Sequence, residues 1–126
     1  MRPKILTVDD ARTVRQIAHK VLRDFDCDSH EATNGYNALF AMERALPDLI
    51  LLDVSMPVMG GLEMLTLMKS NPALKQIPVI MLTSRADHAI MPQLAALGVN
   101  EILLKPFSET DLLGKIGGII ELKPLA

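Results

Sequence analysis

The chain has 126 residues, 49% hydrophobic and 22% charged, which is enough apolar side chain for one buried core and excludes intrinsic disorder. Thirteen Lys and Arg against fifteen Asp and Glu leave a formal net charge of -2, and no basic stripe stands out, which argues against sequence-independent binding of nucleic acid. A lone cysteine, Cys27, rules out an intramolecular disulfide and fits a reducing cytoplasm, while the longest apolar run, Ile77 to Leu82, is far too short for membrane insertion and the early charges Arg2, Lys4, Asp9 and Asp10 exclude a secretory signal.

Lys4–Val8 opens the chain as a near-continuous apolar run, the pattern of a parallel strand covered on both faces. Val14, Ile17, Ala18, Val21, Leu22 and Phe25 then recur at helical spacing. Cys27–Thr33 is a weaker strand, broken by Asp28, His30 and Glu31, and suits a sheet edge. Ala38, Ala41, Met42, Ala45 and Leu46 give a second helix, and Leu49–Leu52 a third strand ending at Asp53. Gly60-Gly61 reads as a turn into a third helix carrying Leu62, Leu65 and Met68, stopped near Asn71-Pro72.

Ile77–Leu82 forms a fourth strand and runs into Thr83-Ser84. Ile90, Leu94 and Leu97 mark a fourth helix that ends at Gly98. Because proline is tolerated only in a first helical turn, Pro92 sets its start near Ala89 or Ile90. Ile102–Leu104 is a fifth strand leading to Lys105-Pro106. The last helix carries Leu112, Leu113, Ile116, Ile119 and Ile120, with Ser108 and Asp111 as its N-terminal cap signal. Its Gly114, Gly117 and Gly118 each cost about 1 kcal/mol relative to alanine. They imply either a frayed C-terminal helix or a face left bare for a partner.

Five successive strand–helix units imply an α/β fold with a parallel sheet and right-handed crossovers. No linker, repeat or low-complexity tract interrupts them, so a single domain spanning 1–126, with its core at about 4–120, is expected. In such sheets ligands bind outside the carboxyl ends of the strands. Those ends carry Asp9-Asp10, Asp53, Thr83-Ser84 and Lys105. Each alone has an ordinary explanation: an acidic pair before a helix caps it, a lone Asp turns the chain, and a Lys before Pro is solvated. Converging on one rim, they have no obvious structural need.

Three carboxylates held together resist ionising, and a divalent cation relieves that repulsion. An all-oxygen donor set suits Mg²⁺. A metal, an ammonium from Lys105 and a hydroxyl from Thr83 are what a transferring phosphoryl group requires. Asp53, alone on its strand end, is the candidate acceptor, since carboxylates form acyl phosphates.

These residues resemble the receiver domains of bacterial response regulators. The resemblance covers nearly the whole chain, through Ile5-Leu6-Thr7-Val8-Asp9-Asp10, Asp53-Val54-Ser55-Met56-Pro57, Gly60-Gly61, Thr83-Ser84 and Lys105-Pro106-Phe107. It implies a flavodoxin-like doubly wound sheet of five parallel strands in the order 2-1-3-4-5 with five helices. It implies phosphorylation of Asp53, Mg²⁺ held by Asp9, Asp10, Asp53 and the backbone carbonyl of Ser55, with Asp10 the more direct ligand of the pair, and catalytic assistance from Thr83 and Lys105. Ser84 matches a position where a small side chain leaves access open, and Ser55 and Arg85 match positions that tune phosphoryl lifetime. The implied partners are a sensor histidine kinase and a downstream protein reached through helix 4, strand 5 and helix 5. Chemotaxis leads among the possible outputs. One departure is Ile102, where family members often carry Tyr or Phe; an isoleucine has no ring to swing when the threonine moves.

Other classes fit less well. Phosphohydrolases with an aspartyl nucleophile usually carry a second Asp two residues on, where this chain has Ser55, and a cap domain for which 126 residues leave no room. A receiver-like module that is never phosphorylated would not need Asp9, Asp10, Asp53, Thr83 and Lys105 together. A flavodoxin would have a Gly/Ser/Thr-rich phosphate loop after the first strand. His19, His30 and His88 lack metal-ligand spacing and read as surface residues, Cys27 as a small buried hydrophobe, and Met64 and Met68 as core filling.

Overall fold

A computed structural model describes residues 2–125. The elements are β1 (Lys4–Val8), α1 (Arg12–Leu22), β2 (Asp28–Ala32), α2 (Gly35–Met42), β3 (Leu49–Asp53), α3 (Gly61–Lys69), β4 (Val79–Thr83), a 3-10 segment (Arg85–Ile90), α4 (Met91–Ala96), β5 (Glu101–Leu104) and α5 (Glu109–Gly117). The strands make one sheet in the order β2-β1-β3-β4-β5, with every pairing parallel. β3 and β4, the strands with the purest apolar runs, are buried along their whole length. β2, with its polar residues, lies at one edge.

Helices cover both faces. On one side Leu6, Val8, Ile50, Leu52, Val79 and Met81 pack against α2, α3 and α4. On the other Ile5, Leu49, Leu51, Ile80 and Leu82 pack against α1 and α5. Alternate residues of one strand therefore serve opposite layers, as the two-residue period of a strand requires.

Several boundaries differ from the apolar periodicity. α1 stops at Leu22, and Phe25 lies in the following turn, where it packs against the α1–α5 layer and bridges to Pro124. α2 stops at Met42, so Ala45 and Leu46 lie beyond it, exposed. The fourth helix splits in two. Pro92 has no N–H to donate, so the chain reaches it in 3-10 form, with Met91 N–H bonded to the His88 carbonyl, and only Met91–Ala96 is α-helical. Gly98 follows it at φ +74°, a left-handed conformation that favours glycine. α5 ends at Gly117, three residues short of Ile120, and begins with the expected cap: Ser108 and Asp111 bond each other's backbone N–H.

Candidate functional site

The carboxyl ends of β1, β3, β4 and β5 meet on one rim. Asp9, directly after β1, is fully buried. One of its carboxylate oxygens accepts the Ala11 N–H at 2.8 Å and the other accepts Lys105 Nζ at 2.7 Å. Ala11, without a capping side chain, is the N-cap of α1, so the acidic pair does not serve as the helix cap. Asp53, the last residue of β3, is 5% exposed and accepts the same Lys105 Nζ at 3.0 Å. Asp10 is exposed. Asp9, Asp10 and Asp53 each turn one carboxylate oxygen inward, and these oxygens lie within 4.8 Å of one another.

The electrostatics follow from this crowding. Burial above all, with the charges of Asp9 and Asp10, outweighs the hydrogen bond and charge of Lys105 and raises the Asp53 carboxyl from 3.8 to about 6. For Lys105, burial disfavours the ammonium, but its bonds to Asp9 and Asp53 outweigh this and hold its pKa above the ordinary value. One permanent cation is thus shared by two carboxylates, with a third beside them. Uncompensated negative charge and three carboxylate oxygens are a donor set that fits a hard divalent cation.

The loop after β3 folds back tightly. Gly61 N–H donates to the Val54 carbonyl at 2.8 Å, and a Cβ on Gly61 would stand 2.1 Å from the Asp53 carbonyl oxygen. Gly60-Gly61 is therefore more than the turn read from sequence: no side chain fits where α3 starts against the end of β3. Val58, in the same loop, is 80% exposed and holds φ +70°, a strained conformation for a β-branched residue. The Lys105–Pro106 peptide is cis.

Thr83 ends β4 with a buried hydroxyl that has no hydrogen-bond partner. An unsatisfied buried hydroxyl costs about 1–3 kcal/mol, which a newly arriving acceptor would recover. Ser55, two residues past Asp53, is exposed, and its hydroxyl lies 3.3 Å from an Asp87 carboxylate oxygen. The other Asp87 oxygen accepts the Ser84 N–H at 2.8 Å. Asp87 thus ties the β3–α3 loop to the segment after β4, a role missed from sequence although Ser84 and Asp87 have capping-box spacing. Arg15 was missed as well; its Nη1 donates to the Asp9 carbonyl at 2.9 Å, and no motif announced it. Arg85 is exposed, and Ile102 is partly buried against the α2–α3–α4 layer. His19, His30 and His88 are exposed and Cys27 is buried, as their spacing and type implied.

Comparisons with known proteins agree with this geometry. A family model described as "Response regulator receiver domain" matches residues 5–117. The protein PilG of Pseudomonas aeruginosa is 35% identical over 113 residues, covering 90% of this chain and 84% of the relative. Chemotaxis protein CheY-3 of Vibrio cholerae is 35% identical over 119 residues, covering 94% and 92%. The solved structure of chemotaxis response regulator CheY4 of Vibrio cholerae superposes with a TM-score of 0.87 at 31% identity, covering 95% of this chain and all of that one (100%).

Proposed function

This chain belongs to the response regulator receiver domain family, whose members act as signalling switches rather than turnover enzymes, and on that premise we propose that Asp53 is its phosphoacceptor. The observation that carries the assignment is the Lys105 ammonium, bonded at once to Asp53 and Asp9 on the strand rim. Asp53 offers a carboxylate oxygen as nucleophile to a phosphohistidine on a sensor histidine kinase. The new P–O bond forms as the P–N bond breaks, and the leaving imidazole takes a proton from solvent. Lys105 stays close to the developing charge because it is already anchored. Asp9 holds Lys105 in place and keeps its own position through Ala11 N–H and Arg15.

Asp9, Asp10 and Asp53, together with the Ser55 carbonyl, would hold Mg²⁺. Bound there, the ion would screen the three carboxylates from one another and supply positive charge toward an incoming phosphoryl group. The Thr83 hydroxyl, buried and unpartnered, turns to donate to the acyl phosphate. That movement draws on the segment from Ser84, which Asp87 ties to the β3–α3 loop, and shifts the population of the α4–β5–α5 surface. Output passes through protein contact at that surface. A role in chemotaxis is supported by the names of the relatives, and a cytoplasmic setting by the lone cysteine. Among the described residues, no helix is long and apolar enough to cross a membrane.

Intact mass after incubation with Mg²⁺ and acetyl phosphate tests the reading. One added phosphoryl group is expected, absent with EDTA and absent in Asp53→Asn. An unchanged gain in that variant would move the acceptor elsewhere. If no gain is seen, beryllium fluoride binding is followed by NMR, and silence there would reduce the domain to a phosphorylation-independent module.

A further inference from the structure

α2 buries Ala38 and Met42 in the core and presents a second pair of apolar residues that no other described element covers. Tyr36 and Phe40 are 59% and 55% exposed, one helical turn apart, and Leu46 beyond the helix is 51% exposed. Of the seven large hydrophobic residues exposed among those described, five lie on or beside α2 and α3: these three with Val58 and Leu67. The α4–β5–α5 face contributes only Leu104. Scattered exposed apolar residues are ordinary on a protein surface, and what distinguishes Phe40 is what adjoins it.

Beside this stripe the small residues Ala41 and Ala45 leave a gap between α2 and the β1–β2 edge. The gap is a cavity of about 470 Å³, floored by Leu6 and walled by Phe40, within the range of about 300–1,000 Å³ typical of ligand pockets. Its rim is basic. Arg44 lies over the Phe40 ring at 5.9 Å, and Lys4 and Arg44 have no carboxylate within ion-pair distance among the described residues. Glu31, the one acidic residue at the rim, faces Arg15 Nε at 3.4 Å. His30 adds a further exposed donor. An apolar floor under two unpaired cations complements an occupant with an apolar body and a negative flank.

We propose that the α2 face, centred on Phe40 and this cavity, is a docking surface for an acidic protein segment that carries one large apolar anchor residue. The anchor enters beside Phe40 and its flanking carboxylates meet Arg44 and Lys4. Arg44 is a residue type that often dominates contact energies, and its guanidinium already lies over the Phe40 ring. The surface is separate from the phosphoryl site and from the α4–β5–α5 face, so it gives the domain a second partner.

The test is panning a phage library of random 12-residue peptides against the whole immobilised chain, read by sequencing, with Phe40→Ser and Arg44→Glu in parallel. Peptides bearing an aromatic residue or leucine flanked by Asp or Glu are expected to be enriched at least tenfold on the native chain, to be lost on Phe40→Ser, and to give way to Lys- or Arg-flanked peptides on Arg44→Glu. Phe40→Ser should still take up phosphoryl from acetyl phosphate at the native rate, which shows that it is folded. No enrichment, enrichment that survives Phe40→Ser, or a charge preference that ignores Arg44→Glu would each overturn the proposal. A concentration-dependent dimer in sedimentation that Phe40→Ser dissolves would assign the face to a second copy of the chain instead.

Discussion

The two layers that sandwich the sheet are built from different materials. Every described methionine lies in or against the α2–α3–α4 layer: Met42, Met64, Met68 and Met81 buried within it, Met56, Met59 and Met91 packed around it. The α1–α5 layer contains none and is filled mainly with Leu and Ile, with Val14, Val21, Ala18, Cys27 and the partly buried Phe25 and Phe107. Methionine is unbranched, with three rotatable bonds, and repacks at low cost, whereas the branched leucine and isoleucine have fewer rotamers to adopt. Strand parity extends the contrast to the rim. Asp53 shares its parity with Leu49 and Leu51, and Asp9 continues that of Ile5 and Thr7, both on the stiff side. Thr83 shares its parity with Val79 and Met81, on the adaptable side. The rim carboxylates Asp9 and Asp53 and the Thr83 hydroxyl thus lie on strand parities that face opposite layers.

This contrast can be broken most forcefully in the stiff layer. Ile80→Ala, fully buried against α1 and α5, is expected to cost about 2–5 kcal/mol in chemical denaturation. Met81→Ala, equally buried on the other face, should cost less, near the low end of that range of about 2–5 kcal/mol, because the layer around it can collapse. Equal costs for the two would dissolve the distinction. Gly61→Ala, whose Cβ would lie 2.1 Å from a backbone oxygen that is not free to retreat, should cost about 2–4 kcal/mol and lower phosphoryl uptake by shifting Asp53. Native uptake in a folded Gly61→Ala protein would show that the loop tolerates the shift.

Charge at the rim gives a prediction of opposite sign. The folded-state pKa of Asp53, about 6, lies above its ordinary value of 3.8. Ionising Asp53 therefore costs the folded state. Its contribution is fully present below about pH 4 and is lost as pH rises through about 6. In metal-free buffer Asp53→Asn should be more stable than the native chain at pH 7, by about 1–3 kcal/mol, with the gap closing as pH falls to about 4. A gap independent of pH would remove Asp53 as its source. The smallest effect is expected at Val58→Gly, where relief of the positive φ should add about 1 kcal/mol of stability. NMR shift changes on adding Mg²⁺ and beryllium fluoride sharpen the comparison without mutation: methionine methyls of the α2–α3–α4 layer should move more than isoleucine methyls of the other.

Much of this was legible in the chain itself. Near-continuous apolar runs separated by 3.6-residue periodicity specify strands buried on both faces and the helices that cover them, because burial on two sides admits no polar alternation. The rim residues were legible because strand ends project to one edge of any parallel sheet, so Asp9, Asp10, Asp53, Thr83 and Lys105 were brought together by topology. Where helices stopped was less legible. Phe25, Ala45 and Leu46 keep the apolar period yet lie outside their helices, since periodicity records which side chains can be buried and not where backbone bonding ends.

Tertiary structure alone decided the rest. Only the packed chain shows that Lys105 bonds Asp9 and Asp53 together, that Asp87 joins two loops, and that Gly61 stands against the Asp53 carbonyl. These contacts depend on loop paths that local propensity does not encode, and most join residues far apart in sequence. The exposed stripe of Tyr36 and Phe40 belongs to the same class: the sequence supplies two aromatic residues one turn apart, and only the fold determines that no other described element covers them. Local chemistry therefore specified the elements and the candidate rim, while long-range packing set which of those groups meet and which face is left open.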